Sequence, residues 1–195
     1  MIAAFQQLLN SWAVSFDLPI LDWIQANMTN PVLDFLMPII TLLGDAGIFW
    51  IAVAVVLLFF PKYRKIGLSM GAALIMGLLV CNVTLKPLIA RPRPYDYQLE
   101  HFGKAIELLI ATPHDFSFPS GHTLASFEAA TALLIRNRKM GIPAMILACL
   151  IAFSRMYLYV HYPTDVLFSV VLGIGFAFLG TYLVDKAYAH FTKKN

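Results

Sequence analysis

Residues 66–94 read IGLSMGAALIMGLLVCNVTLKPLIARPRP. From Ile66 to Leu85 no side chain is charged, and then Lys86, Arg91 and Arg93 follow in close succession. Twenty helical residues rise about 30 Å, the thickness of a bilayer's hydrocarbon core. Backbone placed in lipid must satisfy its own hydrogen bonds, so such a stretch is a helix. It sets the expected fold class: an all-α, polytopic membrane protein. Its charged end is the second signal, because charge at the end of a span is costly unless it has work to do.

The whole chain agrees with this reading. Its 195 residues are 59% hydrophobic and 13% charged, with a mean hydropathy of +0.74. Soluble domains carry about 25% charged residues. Six transmembrane helices are expected, at 30–43, 46–60, 66–85, 120–135, 141–160 and 163–184. Residues 1–28 intersperse Gln6, Gln7, Asn10, Asp17 and Asp22 with Trp12 and Trp23. They are expected to form an N-terminal amphipathic segment at the membrane interface, peripheral and without a catalytic part. A single domain over 1–195 follows: interfacial segment 1–28, six-helix core 30–185, and tail 186–195. The net charge of +3 is not spread as a nucleic-acid footprint. Cys81 and Cys149 both lie in apolar stretches and are expected as free core thiols.

Basic residues orient the chain. Lys62, Arg64, Lys65, Arg136, Arg138, Lys139, Lys186, Lys193 and Lys194 fall on one side of the six-span topology, which is therefore cytoplasmic, with both termini. Lys86, Arg91, Arg93, Lys104 and Arg155 lie on or near the opposite side, where the positive-inside rule expects few.

Three polar motifs converge on that extracytoplasmic face by topology alone. They are Lys86 with Arg93-Pro94, Pro119-Ser120-Gly121-His122, and Ser154-Arg155 with His161 and Asp165. Arginine presents a planar fork to phosphate oxygens and lysine a point charge. Arg155 is expected about 9 Å deeper than His161 along a continuous helix. Ser120 and Gly121 open the fourth span, whose N-terminal N–H groups suit an anion, and Gly121 lets backbone approach it. Pro163 suits the first turn of the last span, from which Asp165 reaches back to His161. A carboxylate on one ring nitrogen makes the other more nucleophilic, which leaves His122 to protonate a leaving oxygen.

These eleven motif residues, in this order and spacing, resemble the type 2 phosphatidic acid phosphatase superfamily. Its members are membrane lipid phosphatases related to vanadium haloperoxidases. The resemblance implies His161 as nucleophile, Asp165 as its partner and His122 as general acid. It also implies that Lys86, Arg93, Ser120, Gly121 and Arg155 bind phosphate, with no metal and no cofactor. The implied substrate is a membrane lipid phosphate: phosphatidylglycerol phosphate, phosphatidic acid or undecaprenyl pyrophosphate. A lipid phosphotransferase using the same phosphohistidine is the alternative. A non-catalytic lipid binder or carrier is disfavoured by the intact His122, His161 and Asp165. The oligomeric state stays open.

The remaining polar residues have plainer readings. Arg91 flanks its motif. Leu99, Phe102, Ile106 and Ile110 suggest a short amphipathic lid or interface helix, carrying His101, Lys104 and Glu107. His114 and Asp115 read as solvated loop residues. Asn82 and Glu128, polar inside spans, are expected to hydrogen-bond between helices. Gly173, Gly175 and Gly180 are expected to allow close packing.

Overall fold

The computed structural model describes residues 2–192. Lys193 and Lys194, part of the expected tail, lie outside the described residues. Every regular element among the described residues is helical. The N-terminal segment is α1 (Ile2–Trp12), a π-helical turn (Ala13–Asp17) and α2 (Leu18–Met28). Then come α3 (Pro31–Leu42), α4 (Ile48–Leu58) and α5 (Arg64–Gly77). A π-helical stretch (Leu78–Leu85) leads into α6 (Lys86–Ile89) and α7 (Pro94–Phe102). Three long helices complete the chain: α8 (Gly121–Arg136), α9 (Arg138–Tyr157) and α10 (Pro163–Thr192).

Helix α8 is the axis of the fold, packed by α5, α9 and α10, with α4 against α5 and α3 against α9. Its small residues allow this: Ala129, Ala130 and Ala132 are fully buried. A Cβ on Gly173 would sit 3.0 Å from the Leu124 carbonyl, and one on Gly180 would sit 3.0 Å from the Ala73 nitrogen. These two glycines bring α10 onto α8 and α5. Gly175 has nothing within 4 Å and takes no part. Outward faces carry exposed Phe35, Ile48, Phe59, Ile75, Val83, Val171 and Phe178, a surface suited to lipid rather than water. Cys81 is buried, but Cys149 is exposed on this outer surface rather than in the core.

Among the described residues, three helical stretches are long and apolar enough to cross a membrane: Arg64–Phe102, Arg138–Tyr157 and Pro163–His190. Helices α3 and α4 are bent by 41° at a short break and meet that test only as a pair. The break has a local cause. Gly44-Asp45-Ala46-Gly47 turns through positive φ at Ala46 (49°) and Gly47 (67°). Asn30 caps α3, its side chain accepting from the Val32 and Leu33 N–H groups at 3.1 and 3.0 Å, with Pro31 in the first turn.

The N-terminal segment departs from expectation. Leu9, Ala13, Asp17 and Leu21, four residues apart, are completely buried and form one inward stripe. Gln6 donates to the Ile89 carbonyl at 2.7 Å and Gln25 to the Tyr157 carbonyl at 2.6 Å. Only the opposite face, with Trp23 exposed, matches an interfacial helix. The segment is a packed layer over α6 and α9, not a peripheral one.

Candidate active site

Each motif residue is delivered by a helix end. Lys86 opens α6 directly after the π-helical stretch, and Arg93 immediately precedes α7. Ser120 is the N-cap of α8, and His122 sits in that helix's first turn. Arg155 is in the last turn of α9, and Asp165 in the first turn of α10. Lys86, Arg93, Gly121, His122, Arg155 and His161 line one cavity of about 1030 Å³. Ser120 and Asp165 are fully buried behind its wall.

The expected 9 Å offset between Arg155 and His161 is absent. Helix α9 stops at Tyr157, and Tyr159 adopts a left-handed φ of 58°. The chain then doubles back, so that the N–H groups of Val160 and His161 both donate to the Arg155 carbonyl, at 3.2 and 3.3 Å. A guanidinium and an imidazole six residues apart therefore face the same space.

His161 is 1% exposed. Its Nδ1 lies 3.6 Å from Asp165 Oδ2 and 3.4 Å from Ser117 Oγ, while its Nε2 lies 3.4 Å from Arg93 Nη1. Ser117 donates to Asp165 Oδ2 at 2.5 Å, and the Tyr162 N–H donates to the same oxygen at 3.1 Å. Burial, then the positive charges of Arg93, Arg155 and Lys86, hold the His161 imidazole well below the usual histidine range.

Lys86, Arg93, Arg155 and His122 all have partners among the described residues. Arg93 Nη1 donates to the Val160 carbonyl at 2.7 Å. Arg155 Nη1 donates to Thr41 Oγ1 at 2.6 Å. His122 Nε2 meets Asp45 Oδ1, in the α3–α4 break, at 2.6 Å. Lys86 and Arg93 share the carboxylate of Asp115. Burial alone would raise the Asp115 carboxyl, but its hydrogen bonds and charge contacts with Lys86 and Arg93 outweigh this and hold it well below the usual carboxylate range. Asp115 is not the merely solvated loop residue expected.

Arg91 does more than flank its motif. It is buried, and its Nη1 donates to Asp165 Oδ1 at 2.5 Å and to Thr164 Oγ1 at 2.9 Å. Its Nη2 donates to Asp17 Oδ2 at 2.8 Å and to the Leu9 carbonyl at 2.9 Å. The N-terminal segment is thereby wired to Asp165. Arg91 flanks the motif in sequence but supports its last residue in space.

Below the charged end, the cavity runs between α4 and α5, past Ile51, Val55, Leu58, Leu68 and Ile75. Asn82 and Glu128 also line it. Glu128 Oε1 has no hydrogen-bond partner among the described residues, contrary to the expected interhelical bond. The carboxyl fits only because position 77 is glycine, where a Cβ would lie 1.9 Å from Oε1. Helix α7 realises part of the expected short helix, while residues 103–120 contain no helix. Among the described residues, no group of three or more His, Cys, Asp and Glu is placed to hold a metal.

The model of the PAP2 superfamily matches residues 65–189, which contain every motif residue named above. The chain belongs to the PAP2 superfamily. It is 36% identical to the undecaprenyl-diphosphatase BcrC of Bacillus subtilis over 77% of this chain and 74% of that protein. It is likewise 36% identical to an undecaprenyl-diphosphatase of Sulfolobus acidocaldarius, over 67% of this chain and 61% of the relative's length. Among solved structures, it is similar to a transmembrane PAP2-type phosphatidylglycerolphosphate phosphatase from Bacillus subtilis. There the TM-score is 0.64 at 25% identity, covering 95% of this chain and 87% of that one.

Proposed function

We propose that this PAP2 protein is an integral membrane lipid phosphatase that removes the terminal phosphate of a lipid phosphate monoester or diphosphate. The observation that carries the reading is the composition of one cavity. His161, His122 and three cationic side chains share its end, and apolar side chains of α4 and α5 line much of the rest. The charged end suits a phosphoryl group and the apolar part suits an acyl or prenyl chain. The names of the 36% identical relatives put a polyprenyl diphosphate first among candidate substrates, ahead of phosphatidylglycerol phosphate and phosphatidic acid.

In the proposed mechanism Lys86, Arg93, Arg155 and the N-terminus of α8 hold the phosphoryl oxygens and neutralise charge as it develops. Asp165 and Ser117 hold the Nδ1–H side of His161, which presents Nε2 to phosphorus. The Nε2–P bond forms as the bond to the leaving oxygen breaks, and His122 gives that oxygen its proton. Water, deprotonated by His122, then attacks the phosphohistidine, releasing inorganic phosphate and restoring His161. No metal takes part in this scheme.

The proposed topology is a single catalytic unit crossed by α5, α8, α9 and α10 and once by the bent α3–α4 pair. Asp34 in the first turn of α3 bonds Tyr157 and Thr41 in its last turn bonds Arg155, so both ends of α3 lie at the charged end and it is not the separate span expected. The charged end of the cavity opens on the outer face of the cell membrane, with the C-terminal end of α10 in the cytoplasm. The N-terminal segment, bonded to Ile89, Arg91 and Tyr157, lies on the outer face as well, not in the cytoplasm as the basic residues suggest. A cysteine at Asp96 should then react with an impermeant thiol reagent in intact cells, and one at Asn137 should not. The deciding experiment for function is phosphate release by the purified protein in detergent. Undecaprenyl pyrophosphate, phosphatidylglycerol phosphate and phosphatidic acid are offered side by side, with a lipid alcohol present to detect transfer. No release from any of them would overturn the reading, and label appearing on the alcohol would make the protein a phosphotransferase.

A further inference from the structure

The cationic end of the cavity holds an anion that belongs to the chain. Asp115 Oδ2 accepts from Lys86, and Asp115 Oδ1 accepts from Arg93 Nη2 at 2.5 Å. One carboxylate thus spans two of the cations assigned to phosphate, each oxygen on one cation, as two phosphoryl oxygens would be. Its side chain is 56% exposed, whereas those of Lys86 and Arg93 are 13% and 3% exposed. The carboxylate can turn out into water, but the cations cannot follow it.

The backbone around Asp115 is pinned independently of that carboxylate. Arg93 Nε donates to the Asp115 carbonyl at 2.7 Å, the Ser117 N–H to the Arg91 carbonyl at 2.9 Å, and the Tyr95 hydroxyl to the Pro113 carbonyl at 2.6 Å. A side-chain rotation is enough to clear the cations while the loop stays in place.

We propose that Asp115 is a tethered competitor for the phosphoryl cradle and sets the charge that a headgroup must bring to enter it. The proposal rests on the reading of Lys86 and Arg93 as phosphate ligands. An intramolecular carboxylate acts at a high effective concentration, so a ligand carrying a single negative charge exchanges like for like and loses. A phosphodiester, the headgroup linkage of ordinary bilayer phospholipids, is such a ligand. A phosphate monoester or the terminal group of a diphosphate carries about −1.5 to −2 near neutral pH and wins the exchange. Asp115 thereby keeps the abundant phosphodiesters of the surrounding membrane out of a site that must find a scarce terminal phosphate.

The test uses the full-length protein in detergent, with inorganic phosphate and short-chain phosphatidylglycerol as probes, read by calorimetry and thermal shift. Asp115→Asn and Asp115→Ser should both bind inorganic phosphate roughly tenfold more tightly than the wild type, because a charge-assisted contact no longer competes. Both should also bind short-chain phosphatidylglycerol measurably on its own, which the wild type does not. Asp115→Glu keeps the charge and should stay within about threefold of wild-type affinity. If either neutral variant binds phosphate more weakly or unchanged, or unfolds, the carboxylate is a brace for Lys86 and Arg93 and the proposal is overturned. Phosphate binding needs no turnover. Wild-type binding without hydrolysis of any lipid would therefore sink the proposed function alone.

Discussion

Arg91 and Asp165 are joined by a 2.5 Å hydrogen bond between two side chains that water scarcely reaches. Asp17 completes the set from the N-terminal segment. Removing the guanidinium would strand two buried carboxylates, a loss of the kind that costs about 3–5 kcal/mol. Arg91→Gln should therefore lower thermal stability. It should also cut kcat by on the order of 10²-fold through a misplaced Asp165 and His161. Asp17→Asn should do both to a smaller degree. Phosphate affinity should change little in either, because neither side chain reaches the cavity. Calorimetric binding measured beside turnover separates the two effects, and a loss confined to KM would refute the positioning role.

The two histidines should be separable by trapping. His161→Ala should abolish turnover and leave no acid-labile phosphoenzyme after a quench with 32P-labelled substrate. His122→Ala should slow a lipid substrate by on the order of 10²- to 10⁴-fold, the usual scale of lost acid catalysis. On a nitrophenyl ester, whose leaving group needs no proton, the loss should be much smaller. Label still trapped on His161→Ala would require exchanging the two roles.

Among the described residues, Arg155 donates from Nη1 to Thr41 Oγ1, and its Nε has no partner. A fork with spare donors suits an arriving phosphoryl group. Arg155→Lys keeps the charge but loses the planar geometry, and should weaken phosphate binding roughly tenfold. Equal binding in calorimetry would mean that charge alone matters there.

The pH profile follows from His161. Burial and the charges of Arg93, Arg155, Lys86 and His122 oppose its protonation, while Asp165, with Ser117 beside it, faces Nδ1. A depressed value means that the neutral nucleophile survives as pH falls and is lost only below the ordinary histidine range. The acid limb of kcat/KM should therefore lie below pH ~6.5, and Arg93→Gln should move it upward. An acid limb above ~6.5 in the wild type would contradict the nucleophile assignment.

Excess EDTA should leave activity intact and vanadate should inhibit, since its trigonal-bipyramidal adduct on His161 imitates the transferring phosphoryl group. Activity lost to the chelator and restored by Mg²⁺ would overturn the proposed charge neutralisation by Lys86, Arg93 and Arg155.

The helix-end motifs were legible in the sequence because their chemistry is local. Lys86, Arg93, Ser120, His122, His161 and Asp165 sit where hydropathy changes, and residue type with spacing is enough to find them. Their partners were not legible. Asp17 meets Arg91 across 74 positions and Thr41 meets Arg155 across 114, with no periodicity linking either pair. Asp17 looked interfacial because its stripe mates Leu9, Ala13 and Leu21 are equally compatible with lipid. The depth of Arg155 was misjudged because a left-handed Tyr159 leaves no trace in composition. Ser117 carried only its position two residues before Pro119. Helices α3 and α4, with 12 and 11 residues, rise about 18 Å and 17 Å, and hydropathy alone does not say whether they cross singly or together.

The apolar stretch of the cavity is walled by Ile51, Val55, Leu68 and Ile75, and these same side chains are exposed on the outer surface of α4 and α5. With the proposed membrane placement, the opening faces sideways, into the bilayer plane. A lipid reaching it travels by two-dimensional diffusion and never needs to leave its leaflet. The rate should consequently track the mole fraction of substrate among neighbouring lipids or detergent molecules, not its molarity in the tube. Adding inert detergent at constant substrate should slow the enzyme by surface dilution alone.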